Sequence, residues 1–218
     1  MKNEQLPYVP TSQERTAFLD NAFVEVRNAE MNPDTLRVAP HRRIADLVAV
    51  VRSYLDFIPE TPVLATYTLM EIYDVSEDEL FETALKNTRT KSNFSCMPIG
   101  QMIVELASAT EAMYQPPDCF DCFDDFGLYV LTNSRQMYGA GILALPELLA
   151  EMIKPLGKTV YILPSSIHEV LLLTLEMDLQ AVKEIVKSVN GTVVEPREVL
   201  SDSIYVLDPE SLTLKIIA

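Results

Sequence analysis

The sequence predicts an α+β fold in which a mixed or mainly antiparallel sheet carries helices packed on one face. Two segments have a Thr or Ser followed three residues later by Glu, and an apolar stripe at helical spacing comes next. The second half alternates short strand-like runs with two helical stretches and ends in a hairpin pattern. With 48% hydrophobic residues, the 218-residue chain can bury a substantial core.

The first helix is predicted from a capping box formed by Thr11 and Glu14. Apolar residues then recur at helical intervals from Phe18 to Ala29, so the helix is expected to run to about Asn32. The apolar run from Ile44 to Ile58 is rich in β-branched residues and predicts a strand, although its length is also compatible with a helix.

A second capping box, Ser76 with Glu79, predicts a helix that ends near Asn87. The apolar residues after Pro98 predict a third helix. The segment 114–126 then changes in character, because it combines two prolines with four aspartates, and it is expected to be a loop or connector.

The second half is more regular. Its predicted elements are strands at 128–131 and 138–143, a helix from Pro146 to Gly157, strands at 159–163 and 167–174, a helix from Asp178 to Val189, and a hairpin of 204–207 with 212–217. Proline suits the first position of a helix and glycine suits the residue after its end. The pair Asn190 and Gly191 is expected to stop the last helix.

These elements suggest three parts of the chain. They are a helical or mixed N-terminal half at 1–113, an acidic, proline-containing connector at 114–126, and an α+β C-terminal half at 127–218. The two halves can also form one continuous domain. No internal repeat is evident.

The charge is strongly negative, at −15, with 32 acidic residues against 17 Lys and Arg. No basic residue lies between Arg52 and Lys86, and Arg135 is the only one between Lys91 and Lys154. Such a field repels phosphate backbones and anionic membranes, so direct nucleic-acid binding is disfavoured. The charge favours either plain solubility or contact with a basic protein partner.

Neither a membrane span nor a signal peptide is expected. No apolar stretch reaches the roughly 18 residues of a span, and the N-terminus lacks a basic start followed by an apolar block. Three cysteines make an odd count that fits free thiols in a reducing compartment. The expected location is the cytoplasm.

Several segments, in this order, carry a family resemblance. They are 40–43 (PHRR), 75–81 (VSEDELF), 86–88 (KNT), 128–133 (LYVLTN), 138–140 (YGA), 161–170 (YILPSSIHEV) and 198–205 (EVLSDSIY). On these segments the chain resembles a bacterial family of unknown function that is common in anaerobic gut bacteria. The resemblance is strongest over 127–206, and it implies no activity, substrate, cofactor or catalytic residue.

Ser166, His168 and Glu169 suggest a hydrolase as the alternative function. A catalytic triad needs a nucleophile in contact with a base that an acid orients. On a strand Ser166 and His168 share one face, whereas neighbouring residues point to opposite faces. Neither serine of this segment lies in a nucleophile-elbow pattern, so the local sequence favours a loop that enters a strand.

Arg135 and Tyr138 are candidate ligand contacts, because the glycines at 139 and 141 allow a ligand to approach the backbone closely. The glycine spacing is not that of a phosphate-binding loop, and a tight turn is the simpler interpretation. Cys119 and Cys122 have the spacing of a zinc or redox pair, but the sequence supplies no obvious second pair of ligands. No cofactor is expected.

Taken together, the residues favour a non-enzymatic interaction protein over an enzyme. A basic partner is expected to contact the acidic surface, including the acidic residues Asp118, Asp121, Asp124 and Asp125. A purely structural role also stays open, in which the apolar stripe of the first helix forms a subunit interface.

Overall fold

The computed structural model describes residues 8–102, 127–157 and 159–218. The helices are α1 (Ser12–Asp20), α2 (Pro33–Val38), α3 (Tyr67–Tyr73), α4 (Glu77–Lys91), α5 (Pro146–Ile153) and α6 (Leu179–Thr192), with two 3-10 helices, η1 (Gly139–Ala144) and η2 (Lys154–Leu156). The strands are β1 (Ala22–Asn28), β2 (His41–Ile44), β3 (Leu47–Leu55), β4 (Ile58–Leu64), β5 (Phe94–Pro98), β6 (Leu128–Asn133), β7 (Tyr161–Leu163), β8 (Val170–Leu173), β9 (Tyr205–Leu207) and β10 (Leu214–Ile216).

The strands form two sheets, and every named strand pair is antiparallel. In the first sheet, β3 pairs with β1 along one edge and with β2 and then β4 along the other. The second sheet has the strand order β10-β9-β7-β8-β6-β5. The predicted α+β class is therefore confirmed, with the strands divided between two sheets.

The first predicted helix is too long. Helix α1 ends at Asp20, and the apolar residues from Ala22 onward belong to β1. Ala22, Val24 and Val26 alternate along that strand and are buried. The helical prediction rested on a different subset, which includes Ala22, Phe23, Val26 and Ala29, and pairing of β1 with β3 along its whole length decides for the strand.

The predicted strand at 138–143 is also wrong, because this segment forms the 3-10 helix η1. The backbone N–H groups of its first two residues donate to a loop and not to a neighbouring strand. Gly139 N–H donates to the His168 carbonyl at 2.9 Å, and Ala140 N–H donates to the Ile167 carbonyl at 3.2 Å. Helix α6 likewise passes the expected stop at Asn190 and Gly191 and ends at Thr192.

Other local predictions are confirmed. Thr11 and Ser76 cap α1 and α4 by accepting from the backbone N–H of the residue three positions later. Gly157 closes the α5 segment in the left-handed region, at φ +62°. Strands β9 and β10 form the expected hairpin. A helix begins at Ile99 as expected, and residues 103–126 lie outside the described ranges.

One cluster of buried side chains includes residues of both sheets and of α1, α4 and α5. Polar side chains support the same packing. The Asn87 amide donates to the carbonyls of Leu19, Asp20 and Ala22 and so covers the end of α1. Asp46, in the β2–β3 turn, accepts from the Tyr205 hydroxyl and from Ser201. These buried and partly buried hydrogen bonds join distant parts of the sequence.

Within the described ranges, no helix has the length and apolar character needed to cross a membrane.

Candidate functional site

Asn133 organises the loop that follows β6. Its side-chain oxygen accepts from the backbone N–H groups of Arg135 at 3.0 Å and Met137 at 3.4 Å. Its amide group donates to the Met137 carbonyl at 2.7 Å. Gln136 and Tyr138 both have positive φ, at 52° and 58°. Asn133 therefore holds in place a loop with two non-glycine residues in the left-handed region.

This loop docks against the segment 166–169. The Tyr138 N–H donates to His168 Nδ1 at 3.3 Å, and the Thr132 hydroxyl donates to the His168 carbonyl at 2.8 Å. Because Nδ1 accepts a hydrogen bond, the ring proton of a neutral His168 lies on Nε2. That nitrogen is 3.6 Å from a carboxylate oxygen of Glu198. Both ring nitrogens of His168 thus lie near groups from other segments, Nδ1 near Tyr138 and Nε2 near Glu198.

Ser166, His168 and Glu169 lie together, but their contacts differ from those of a triad. The Ser166 hydroxyl donates to Glu169 at 2.6 Å and accepts from the backbone N–H of His168 at 3.0 Å. The imidazole instead contacts Tyr138 and Glu198. The serine hydroxyl and the imidazole therefore have separate partners, and Glu169 holds the serine rather than the ring.

Sequence reasoning missed Glu198 as the acid beside His168. The two residues are 30 positions apart and meet because Ser166 and Val199 form an isolated β-bridge. The Ile167 N–H also donates to the Glu198 carbonyl at 3.0 Å. The spacing of residues in the sequence does not predict this contact, because it depends on how two distant loop segments pair.

Tyr138 brings the loop to the first sheet. Its ring centroid lies 5.2 Å from that of Phe23 and 5.9 Å from that of His168. The Arg52 guanidinium carbon lies 5.9 Å from the same ring. Burial is the main cause that raises the pKa of the Tyr138 hydroxyl, so the group stays protonated at neutral pH.

Beside Tyr138 lies a buried ion cluster that the sequence did not reveal. Glu25 is fully buried, and its two carboxylate oxygens lie 2.8 Å from Arg27 Nη2 and 2.5 Å from Arg52 Nε. Arg52 also donates to the Pro62 carbonyl at 2.8 Å, and Arg27 donates to Asn32 at 2.9 Å. A buried carboxylate persists only with such partners. The cluster therefore compensates the buried charge of Glu25 and joins the side chains of β1 and β3.

The predicted ligand contacts Arg135 and Tyr138 line the same cavity, which has a volume of about 150 Å³. Its wall also includes Phe23, Tyr54 and Lys91. The Lys91 ammonium group donates to the Asp20 carbonyl at 2.7 Å. In the described part of the chain, no carboxylate lies within ion-pair distance of Arg135. The cavity thus combines aromatic walls with two cationic residues, Arg135 and Lys91, and one acidic residue, Asp20, and the Arg135 guanidinium can contact an anion.

The sequence profile of a family of unknown function, DUF5688, matches residues 9–208. The chain belongs to this family. Neither the curated proteins nor the solved structures contain a match to it. The family membership confirms the resemblance found in the sequence, and it assigns no activity to the DUF5688 chain.

Two of the predicted sites lie outside the described residues. They are the acidic residues Asp118, Asp121, Asp124 and Asp125, and the cysteines Cys119 and Cys122. Within the described ranges, no group of three or more His, Cys, Asp or Glu side chains is placed to hold a metal ion. Cys96 is half-buried, and its burial raises the pKa of the thiol, which keeps it protonated and poorly nucleophilic.

The acidic stretch between Arg52 and Lys86 is largely at the surface. Seven of its eight carboxylate residues are exposed, and they are Asp56, Glu60, Glu71, Asp74, Glu77, Asp78 and Glu82. The eighth, Glu79, is half-buried and pairs with Arg15 at 2.7 Å. We call the seven exposed residues the acidic face.

Proposed function

We propose that this DUF5688 chain is a non-enzymatic, cytoplasmic interaction protein that binds a basic protein partner. The observation that carries the proposal is the acidic face. Of its seven carboxylates, Asp78 alone has an arginine within ion-pair distance among the described residues, namely Arg42 at 3.4 Å. The other carboxylates are available to the lysines and arginines of a partner.

Part of this charge also serves the fold. Glu77, Asp78 and Glu79 occupy the first turn of α4, where negative charge complements the helix dipole. That explanation does not extend to Glu60 in β4 or to Glu71 near the end of α3. The acidic residues outside the first turn of α4 therefore favour binding of a basic partner over a role in stability alone.

The acidic residues Asp118, Asp121, Asp124 and Asp125 belong to the same proposal on sequence grounds. They add four charges to the acidic chain, and a basic partner would gain from each of them. We further propose Arg135 and Tyr138 as contacts for an anionic group, because the two residues line one cavity and no carboxylate of the described ranges lies within ion-pair distance of the guanidinium.

We expect a charge-neutralised acidic face to lose the partner. A variant with Glu60, Glu71, Glu77 and Glu82 changed to Gln removes four exposed charges, and none of these side chains makes a hydrogen bond to another described residue. Tagged native and variant chains are used to retain proteins from a bacterial lysate at low and moderate salt. A basic protein held by the native chain should be lost from the variant, and added salt should release it.

A matched control changes the net charge equally at other exposed positions, with Glu147, Glu176, Glu195 and Glu210 changed to Gln. The control should keep the partner, because its substitutions lie outside the acidic face. Equal retention by both variants would rule out the acidic face as the contact. A third variant, neutralised at the four aspartates of 118–125, measures their share separately.

The alternative function, a hydrolase that uses Ser166, His168 and Glu169, has its own test. Because Ser166 bonds to Glu169 and not to the imidazole, we expect no serine-dependent turnover. Hydrolysis of an activated ester such as p-nitrophenyl acetate should be the same for the native chain and for Ser166→Ala. A loss of turnover of about a hundredfold or more in that variant would support the enzyme instead.

A further inference from the structure

The tip of the β3–β4 hairpin exposes an aromatic side chain. Leu55 pairs with Ile58, so Asp56 and Phe57 alone form the turn between the two strands. Phe57 is 68% exposed, and Ile58 beside it is 42% exposed. Two residues of the acidic face, Asp56 and Glu60, flank this apolar pair in the sequence. The tip therefore offers an apolar contact within a surface that attracts basic groups.

A shallow cleft lies beside this tip. Its wall includes Phe57 and Tyr54 from the hairpin, Phe18 from α1 and Tyr73 from α3. Phe18 and Tyr73 are buried, and their rings stack with centroids 4.5 Å apart. Apart from two carboxylate residues, every residue that lines the cleft is aliphatic or aromatic. The cleft is therefore an apolar groove with a charged rim.

The two carboxylate residues of the lining are Glu14 and Asp56. Burial is the main cause that raises the pKa of the Tyr73 hydroxyl, and the charges of Glu14 and Asp56 raise it further, so both carboxylates lie near that hydroxyl. Glu14 accepts hydrogen bonds from Tyr8 and Thr11, whereas Asp56 is exposed. In the described part of the chain, no Lys, Arg or His lies within ion-pair distance of either carboxylate. The cleft is therefore complementary to a cation.

The size of the cleft limits which cation it can hold. Its volume is about 20 Å³. A cavity of roughly 10–15 Å³ already admits one water molecule. An ammonium group is compact and comparable to a water molecule, whereas a guanidinium is a larger planar group. The cleft therefore fits the end of a lysine side chain better than that of an arginine.

We propose that this cleft receives a lysine side chain of the basic partner, with its ammonium group beside Asp56 and Glu14 and its methylene groups against Phe57. The inference rests on the proposed function, because the lysine belongs to the partner that contacts the acidic face. Asp56 is part of both the acidic face and the cleft, so one interface can cover the two. A lysine stem covers apolar surface while its charged end stays at a polar rim, and nearby aromatic rings also attract the cation.

The test measures binding of fluorescein-labelled hexalysine to the full chain by fluorescence anisotropy at low salt. A double variant, Asp56→Asn with Phe57→Ala, removes the exposed carboxylate and the exposed ring. We expect it to weaken hexalysine binding by about 3- to 30-fold, because one charge pair and one cation–aromatic contact are lost. The matched control, Glu176→Gln with Tyr67→Ala, changes the charge equally and removes an exposed ring outside the cleft. It should bind hexalysine nearly as the native chain does.

Hexaarginine separates the cleft from general attraction to an acidic chain. Because its guanidinium groups do not fit the cleft, the double variant should lose much less affinity for hexaarginine than for hexalysine. Thermal unfolding of each variant shows that it is folded under the binding conditions.

Two results would overturn the lysine cleft and leave the acidic face as a binding surface. They are equal binding of hexalysine by the double variant and the control, and an equal loss of affinity for the two peptides. A native chain that does not bind hexalysine would overturn the cleft together with the acidic face as a surface for basic groups.

Discussion

Replacing Gly139 by alanine should lower the free energy of unfolding by about 3 to 5 kcal/mol. A Cβ at this position would lie 2.3 Å from the His168 carbonyl oxygen and 2.6 Å from the Thr132 hydroxyl. Two of these neighbouring atoms are hydrogen-bonded to each other, and the Gly139 N–H bonds to the same carbonyl at 2.9 Å. The methyl group can therefore be accommodated only if these bonds move.

The measurement is thermal and urea unfolding of Gly139→Ala. For a chain of this length, a loss of 3 to 5 kcal/mol corresponds to a fall of roughly 6 to 20 °C in the melting temperature. Gly191→Ala is the matched control, since Gly191 lies in α6 and a Cβ there would meet nothing within 4 Å. It should stabilise the chain by about 0.5 to 1 kcal/mol. Equal free energies of unfolding for Gly139→Ala and Gly191→Ala would contradict the close approach of η1 to the His168 carbonyl.

Replacing Glu25 by leucine should lower the free energy of unfolding by a similar amount, about 3 to 5 kcal/mol. The carboxylate is fully buried between Arg27 and Arg52, whose side chains are only 18% exposed. Its removal leaves two mostly buried guanidinium groups without their counter-charge. The free energy of unfolding from urea titration measures the loss.

A triple variant, with Arg27 and Arg52 also changed to methionine, should recover most of that loss, because a buried ion cluster can often be exchanged for apolar side chains. The surface pair of Arg89 with Glu151 gives the comparison, as its side chains are 43% and 62% exposed. Glu151→Gln should cost about 1 kcal/mol or less. A similarly small effect of Glu25→Leu would mean that water reaches the cluster.

The predictions for Gly139→Ala and Glu25→Leu both concern the surroundings of Tyr138. Tyr138 precedes Gly139, and its ring lies near both Arg52 and His168. The Gly139 contact holds η1 against the second sheet, whereas the Glu25 cluster belongs to the first. The cavity beside Arg135 and Tyr138 therefore depends on contacts from both sheets.

Features governed by neighbouring residues were predictable from the sequence. Thr11, Ser76 and Gly157 have the roles expected of them, because capping and left-handed termination depend on a few adjacent residues. The α+β class and the final hairpin follow from the same short-range patterns. Arg135 and Tyr138 were found together because a single loop carries both, and the structure places them at one cavity.

Features that join distant segments needed the tertiary structure. The apolar residues after Asp20 fit both helix and strand, and only pairing with β3 made them β1. Glu25 gives no sign in the sequence of being buried between two arginines, and Glu198 gives none of facing His168. Local propensities set caps and turns, but strand pairing and burial depend on surfaces contributed by residues far along the chain.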